Sequence, residues 1–216
     1  MSEEKIKRFS GKELTVSWDA RLCIGIAECG RSDDTLFVAD RDPWCQPDDV
    51  EPARVVEVCA RCPSGALSVT DRSGADVEPP PDGNRVHVAH DGPLFVHGKL
   101  ALQHAADDMP GIRHRVALCR CGKSSNKPFC DNSHRDGFSD AGAIGEDGPG
   151  YVNADAELHI NPTLHGPLVL EGPVQLVTGS GRVAWRGNKV ALCRCGESAN
   201  KPFCDGSHQK AGFRSE

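Results

Sequence analysis

Residues 119–134 read CRCGKSSNKPFCDNSH, and residues 193–208 read CRCGESANKPFCDGSH. They close a longer repeat: 92–134 align without a gap on 166–208, with 21 identities in 43 positions, 16 of them in the last 19. The identity is concentrated where cysteine and histidine lie rather than along a packing face, so what the copies share is a chemical site. Each copy places three cysteines and one histidine within 16 residues: Cys119, Cys121, Cys130 and His134, then Cys193, Cys195, Cys204 and His208. Cysteines one residue apart are poorly placed to bridge each other, but both can grip one metal. Gly122 and Gly196 permit a tight turn after each pair, and Pro128 and Pro202 stiffen the return to the third cysteine. Three thiolates and an imidazole suit either a tetrahedral zinc ion or an iron-sulfur cluster.

Upstream of each site, Leu94, Val96, Leu100 and Leu102, and in the second copy Leu168, Leu170, Val174 and Leu176, alternate with a period of two, which predicts a strand. Gly98 and Gly172 fall at the same register. A second strand, 116–118 or 190–192, runs into the first cysteine, and a short helix is expected after Asp131 or Asp205 with the Asp as its N-cap. The stretch EPPPDGN (78–84) predicts an extended or turned linker, and SDAGAIGEDGPG (139–150) a flexible connection. Residues 1–77 are unrelated to the repeat. They predict strands at 14–18, 35–38 and 67–70 and a helix over 52–60, where Pro52 suits the first turn and Val55, Val56 and Cys59 have helical spacing. The fold class is α+β, divided as 1–77, 85–140 and 151–216.

The chain carries 31 acidic against 25 basic side chains, a formal net charge of -6. With no block of Lys and Arg it lacks the electrostatic footprint of a nucleic-acid binder. No apolar run approaches the roughly 20 residues that cross a bilayer. The start, MSEEKIKRFSGKELTV, has no apolar stretch of the kind a secretory signal needs. A cytoplasmic protein without membrane or nucleic-acid partners is expected. There, disulfides are the less favoured use of 11 cysteines, and an odd number cannot pair completely within one chain. Leu, Ile, Val and Phe make up roughly a fifth of the residues, a thin core to which metal binding would add folding energy. No phosphate loop, nucleophile elbow or paired catalytic carboxylate stands out, so the chain does not read as an enzyme.

Both copies resemble the CDGSH iron-sulfur (NEET) family, whose pattern is C-x-C, two residues, Ser or Thr, three residues, Pro-x-C-D-G, a small residue and His. The second copy meets it throughout, with Ser198, Pro202, Cys204, Asp205, Gly206, Ser207 and His208. The first departs once, at Asn132, the next most tolerant residue for a left-handed backbone. The resemblance implies a 2Fe-2S cluster in each copy, with Cys119/Cys121 or Cys193/Cys195 on one iron and Cys130/His134 or Cys204/His208 on the other. Imidazole in place of one thiolate raises the potential above an all-Cys site and makes cluster retention depend on pH. Family members commonly form dimers with exchanged strands. Two copies in one chain resemble its tandem branch, which implies an intramolecular pseudo-dimer, a monomer with internal pseudo-twofold symmetry.

In the first unit, Cys23 and Cys29 are followed by a remote Cys62 before Pro63, with Ile26 where a middle cysteine is usual. RLCIGIAEC (21–29) and PWCQPDDVEPARVVEVCARCPSGAL (43–67) resemble the divergent monocluster ferredoxin family. The resemblance implies a cluster on Cys23, Cys29 and Cys62: 3Fe-4S, or 4Fe-4S with an outside fourth ligand. Cys59 could be that ligand or a buried thiol beneath the cluster, the reading preferred here; Cys45 is expected in the core. The expected function is electron transfer with redox partner proteins. Cluster storage, transfer or redox and pH sensing is the alternative, and a zinc-held scaffold a third. His87, His90, His97, His104 and His114 have mostly non-histidine counterparts in the second copy and are expected on the surface of strands. Lys127 and Lys201 are candidates to tune a cluster or to meet an acidic partner, or are solvated charges.

Overall fold

The chain reverses at Gly11 between Ile6–Ser10 (β1) and Leu14–Asp19 (β2), an antiparallel hairpin in which Phe9 faces Val16. A one-turn helix, Glu28–Ser32 (α1), follows, then Pro52–Ala60 (α2). Proline at the start of α2 lacks only an N–H that the first turn leaves unused. The helix turns Val55, Val58 and Cys59 inward onto Leu67–Asp71 (β3), which pairs antiparallel with β2 to close a three-stranded sheet. The strand expected at 35–38 is only an isolated pairing of Phe37 with Cys45. The chain turns back at once through 39–43, leaving room for two ladder bonds, Val38 N to Trp44 O and Gln46 N to Leu36 O. This is a computed structural model; it describes residues 5–32, 35–79, 81–150 and 155–215.

Beyond residue 84 lie Arg85–Val88 (β4), Leu94–His97 (β5), Leu100–Leu102 (β6), Arg115–Leu118 (β7), Leu158–Pro162 (β8), Leu168–Val177 (β9) and Val183–Leu192 (β10), with a final turn of helix at Ser207–Lys210 (α3). All seven strands belong to one sheet. β4 runs parallel to the end of β9, with Val86 opposite Leu176, and β8 runs parallel to β6, with Ile160 opposite Leu102. At the offset of 74 between the copies, these two pairings map onto each other, so each copy's opening strand lies on the other copy's later strand. The alternation read as one strand is continuous only in the second copy (β9). In the first it breaks into β5 and β6, because Asn84 wedges beside Gly98 and its Oδ1 accepts from Lys99 N at 2.9 Å. No helix among the described residues is long and apolar enough to cross a membrane, and all eleven cysteines are free.

Both predicted linkers are tied down. Glu78 and Asn84 are buried at the two ends of 78–84. The 139–150 stretch has no regular structure, but Asp140 pairs with Arg120 and Ile144 is buried. Small residues made it look flexible; they let it lie flat against neighbouring backbone, as Gly142 does on Val88 and Gly179. Of the five histidines, His87 and His97 lie on strands, while His90, His104 and His114 lie in loops or turns; Nε2 of His114 stands 2.7 Å from Asp76.

The N-terminal unit is seated on the first copy. Arg115, 3% exposed, donates through Nε to Cys62 O at 2.7 Å and through Nη2 to Cys59 O and Leu67 O at 3.0 Å. Its guanidinium pairs with the buried Glu78 carboxylate. Leu22 and Ala66 join the core of the large sheet, and Gly111 packs on Gly65 so closely that a Cβ at 111 would stand 2.0 Å from the Gly65 carbonyl oxygen. Breaking a buried pair costs more than never having made it, because the surviving charge is stranded. Arg115→Met should therefore cost about 3–5 kcal/mol, read as a lowered urea midpoint, and Arg115→Met with Glu78→Leu should recover most of it.

Candidate functional site

Both ligand loops are built alike. Ser124 Oγ donates to Phe129 O at 2.7 Å and accepts from Asn126 N at 3.0 Å, and Ser198 makes the same two bonds with Phe203 O (2.7 Å) and Asn200 N (3.1 Å). The loops thus fold back so that the third cysteine hydrogen-bonds β7 or β10, Cys130 N to Ala117 O and Cys204 N to Ala191 O, each 2.9 Å. In this setting Cys119 Sγ lies 3.7 Å from Cys121 Sγ, and Cys193 Sγ 3.7 Å from Cys195 Sγ. Cys130 Sγ is 3.4 Å from His134 Nδ1, and Cys204 Sγ 3.4 Å from His208 Nδ1. Two thiolates about 2.3 Å from one tetrahedral metal stand about 3.7 Å apart, and a thiolate and an imidazole nitrogen about 3.5 Å. The pairs therefore have the bite of metal ligands. Among the described residues no three His, Cys, Asp or Glu side chains converge as a single ion requires; the donors come two and two.

The Cys119 thiol is pushed down to about 6, first by the hydrogen bond from Cys121 and then, against burial, by the amides of Ser124 and Gly122. Cys121 is pushed up by the same bond, and binding a metal would displace the protons the pair carries. Burial pushes Cys130 and Cys195 each up to about 11. Burial, then Arg135 and Arg120, lower the His134 imidazole, favouring the neutral form that ligates.

The helix expected after each Asp is a single turn, 3-10 at Ser133–Arg135 and α at α3. Its cap position is held by Asn132 or Gly206, both left-handed (φ 73° and 86°), and the Asp sits one residue earlier. The carboxylates still take loop amides, Asp131 those of Ser133 (3.0 Å) and Ser125 (2.8 Å), Asp205 those of Ser207 (2.9 Å) and Ala199 (2.8 Å). Against burial at Asp131, hydrogen bonds from Ser133 and Ser125 hold its pKa well below the carboxylate range, and those from Ser207 and Ala199 do so at Asp205.

In the N-terminal unit Cys23, Cys29 and Cys62 line one small cavity beside Trp18. Burial pushes the Cys29 thiol up, and nearby Cys62 and Cys23 add to it. Cys59 and Cys45 do not line that cavity. They pack in the core with Val16 and Val55, where burial raises the Cys59 thiol well above its ordinary value and Cys45 to about 12.

A family model described as an iron-binding zinc finger of CDGSH type matches residues 91–135 and 165–209, and one described as a divergent 4Fe-4S mono-cluster matches residues 9–72. Two stretches of the chain are domains of the CDGSH type. It is an iron-sulfur protein with two CDGSH domains, of the kind that binds 2Fe-2S clusters, behind a divergent mono-cluster domain of the 4Fe-4S kind. Two curated relatives, each named uncharacterized protein YjdI, come from Escherichia coli strain K12 and Escherichia coli O157:H7. Each is 39% identical over 59 residues, 27% of this chain and 78% of the relative. No solved structure matches.

Sequence reading overlooked what surrounds the CDGSH loops. Asn132 was weighed only as a tolerable stand-in for Gly, yet its Nδ2 donates to Ile24 O at 2.6 Å, and Asn126 Nδ2 donates to Arg21 O at 2.6 Å. Gly206, its counterpart, faces open space. The departure from the CDGSH pattern was the available signal. In metal-free, reduced, full-length protein, iodoacetamide at pH 8 should modify exposed Cys23 first and Cys59 last among the five N-terminal cysteines. Peptide mass spectrometry reads the order, and equal rates would place Cys59 at the cavity.

Proposed function

We propose that the chain is an electron carrier with three clusters in series: one on Cys23, Cys29 and Cys62, a 2Fe-2S cluster on Cys119, Cys121, Cys130 and His134, and another on Cys193, Cys195, Cys204 and His208. Three thiolates in the first site suit 3Fe-4S, or 4Fe-4S with an outside ligand. The two-and-two donor pairing favours two-iron clusters over zinc. When bound, the clusters supply the one-electron chemistry, and the chain holds the sites against one another.

The observation that carries this reading is the seat of one ligand loop on the next. Ile24, adjacent to Cys23, is 4% exposed and packs on Ala117 and Cys130, while its carbonyl accepts from Asn132. Cys121 and Cys195 then meet backbone to backbone across the two CDGSH domains. The exchanged strands support an intramolecular pseudo-dimer and, with it, a monomeric chain that meets redox partner proteins singly. On rapid mixing with a limiting one-electron reductant, visible and EPR spectra should show all three clusters reaching a common equilibrium faster at low protein concentration than collisions between molecules permit. A cluster type that never equilibrates with the others would sink the relay.

A second reading, cluster transfer or pH sensing, is favoured by the partial exposure of His134 and His208, since an imidazole that water reaches can be protonated off its metal. His208→Cys should lower the potential of the second CDGSH cluster and keep its visible bands at acid pH where wild type loses them. An unchanged potential would remove His208 from the ligand set.

A further inference from the structure

Arg120 and Arg194 each follow the first cysteine of a CDGSH loop, and each is 2% exposed. Both are held in the same way. Arg120 donates to Gly92 O (2.8 Å) and Ala89 O (2.5 Å) and lies over Phe138 at 4.9 Å; Arg194 donates to Gly166 O (3.0 Å) and Thr163 O (2.5 Å) and lies over Phe213 at 5.2 Å. The fourth contact differs. Arg120 Nη1 pairs with Asp140 at 2.5 Å, whereas Arg194 has no carboxylate among the described residues. Ser215 stands in the place of Asp140. Its amide donates to His165 Nδ1 at 3.2 Å as that of Asp140 donates to Asp91 Oδ1 at 2.6 Å, and Asp91 and His165 are both left-handed (φ 47° and 52°).

The grooves beside the two arginines differ accordingly. Beside Arg120 lie the chain's own residues 140–146, without regular structure. Gly142 O accepts from Gly179 N at 2.9 Å, Ile144 is buried, and Glu146 accepts from Asn200 at 2.8 Å. The corresponding place beside Arg194 is a cleft of about 410 Å³ lined by His104, Lys127, Pro128, Leu164, Arg194 and Ser215. Its walls supply two cations, a titratable imidazole and, in Leu164, a side chain 70% exposed.

We infer that this cleft is the docking site for an acidic, small-residue segment of a partner protein, whose carboxylate pairs with Arg194 as Asp140 pairs with Arg120. The filled groove is the template. It shows that main-chain hydrogen bonds, one carboxylate and one aliphatic side chain satisfy this surface, and Lys127 adds a second attraction for an acidic chain. A buried guanidinium gains most from a partner that also excludes water. The inference stands on the fold alone, whichever cluster each site carries.

The test uses the full-length, cluster-loaded protein and a fluorescent peptide with the sequence SDAGAIGED, that of residues 139–147, titrated to millimolar concentration because the internal segment is tethered and the free one is not. One saturable site, weakened by salt, is expected, with at least tenfold loss when both the first and the last Asp of the peptide are changed to Asn. Arg194→Ala risks misfolding, so the decisive variant is Ser215→Asp. It supplies the missing carboxylate, should raise the melting temperature, and should weaken the peptide at least tenfold while leaving the cluster spectrum unchanged. No saturable binding to wild type, or equal binding of the Asn peptide, or equal binding by Ser215→Asp, overturns the proposal.

Discussion

The carbonyl oxygen of Cys195 leaves no room for a side chain at residue 122, and that of Cys121 leaves none at 196: a Cβ at either would stand 2.4 or 2.6 Å away. Both glycines are also left-handed, at 79° and 84°, so the restriction is steric and conformational together. This reciprocal contact seats the two CxC turns back to back. The large sheet repeats the pattern, since the pairings of β4 with β9 and of β6 with β8 map onto each other at the same offset of 74 that relates Cys121 to Cys195. The ligand loops inherit their placement from the strands that end at Leu118 and Leu192, both fully buried.

On that near-symmetric frame a few side chains make the halves unequal. Arg115, at the head of β7, reaches into the N-terminal unit for three carbonyls and Glu78; its counterpart Lys189 stays at the surface with Glu171, 2.6 Å away. Gly111 accepts the close approach of Gly65, where the second copy has the bulk of Trp185. Asn132 binds the loop beside Cys23, where the second copy has Gly206. The N-terminal unit can therefore dock on only one of two otherwise similar domains. Among the described residues the second domain has a cleft beside Arg194.

How much of this was legible in the residues varies by element. Helix α2 was readable to its ends, because proline marks its start and Val55, Val56 and Cys59 have helical spacing, although Val58 rather than Val56 joins Val55 and Cys59 in the core. The four donor-type residues of each CDGSH loop were readable from spacing, because they fall within 16 residues of chain; their pairing two and two was implied only by the resemblance. The strand expected at 35–38 failed for lack of a ladder partner, which no local pattern reveals. Stretches 78–84 and 139–150 looked like linkers by composition, yet Glu78, Asn84 and Asp140 answer to Arg115, the carbonyls of Ala156 and Pro173, and Arg120, all 20 or more residues away.

The sequence by itself determined the repeated Cys3His loops, the family, the strand-rich α+β class and the absence of any apolar run of membrane-spanning length. Each of these is written in short-range spacing. Only the tertiary structure decided which copy carries the N-terminal unit, which arginine has no carboxylate partner among the described residues, and which of the two readings of Cys59 holds: it lies in the core with Cys45, while Cys23, Cys29 and Cys62 share a cavity. Those outcomes depend on contacts between residues far apart along the chain. Burial and pairing there are properties of the packed whole, not of any window of sequence.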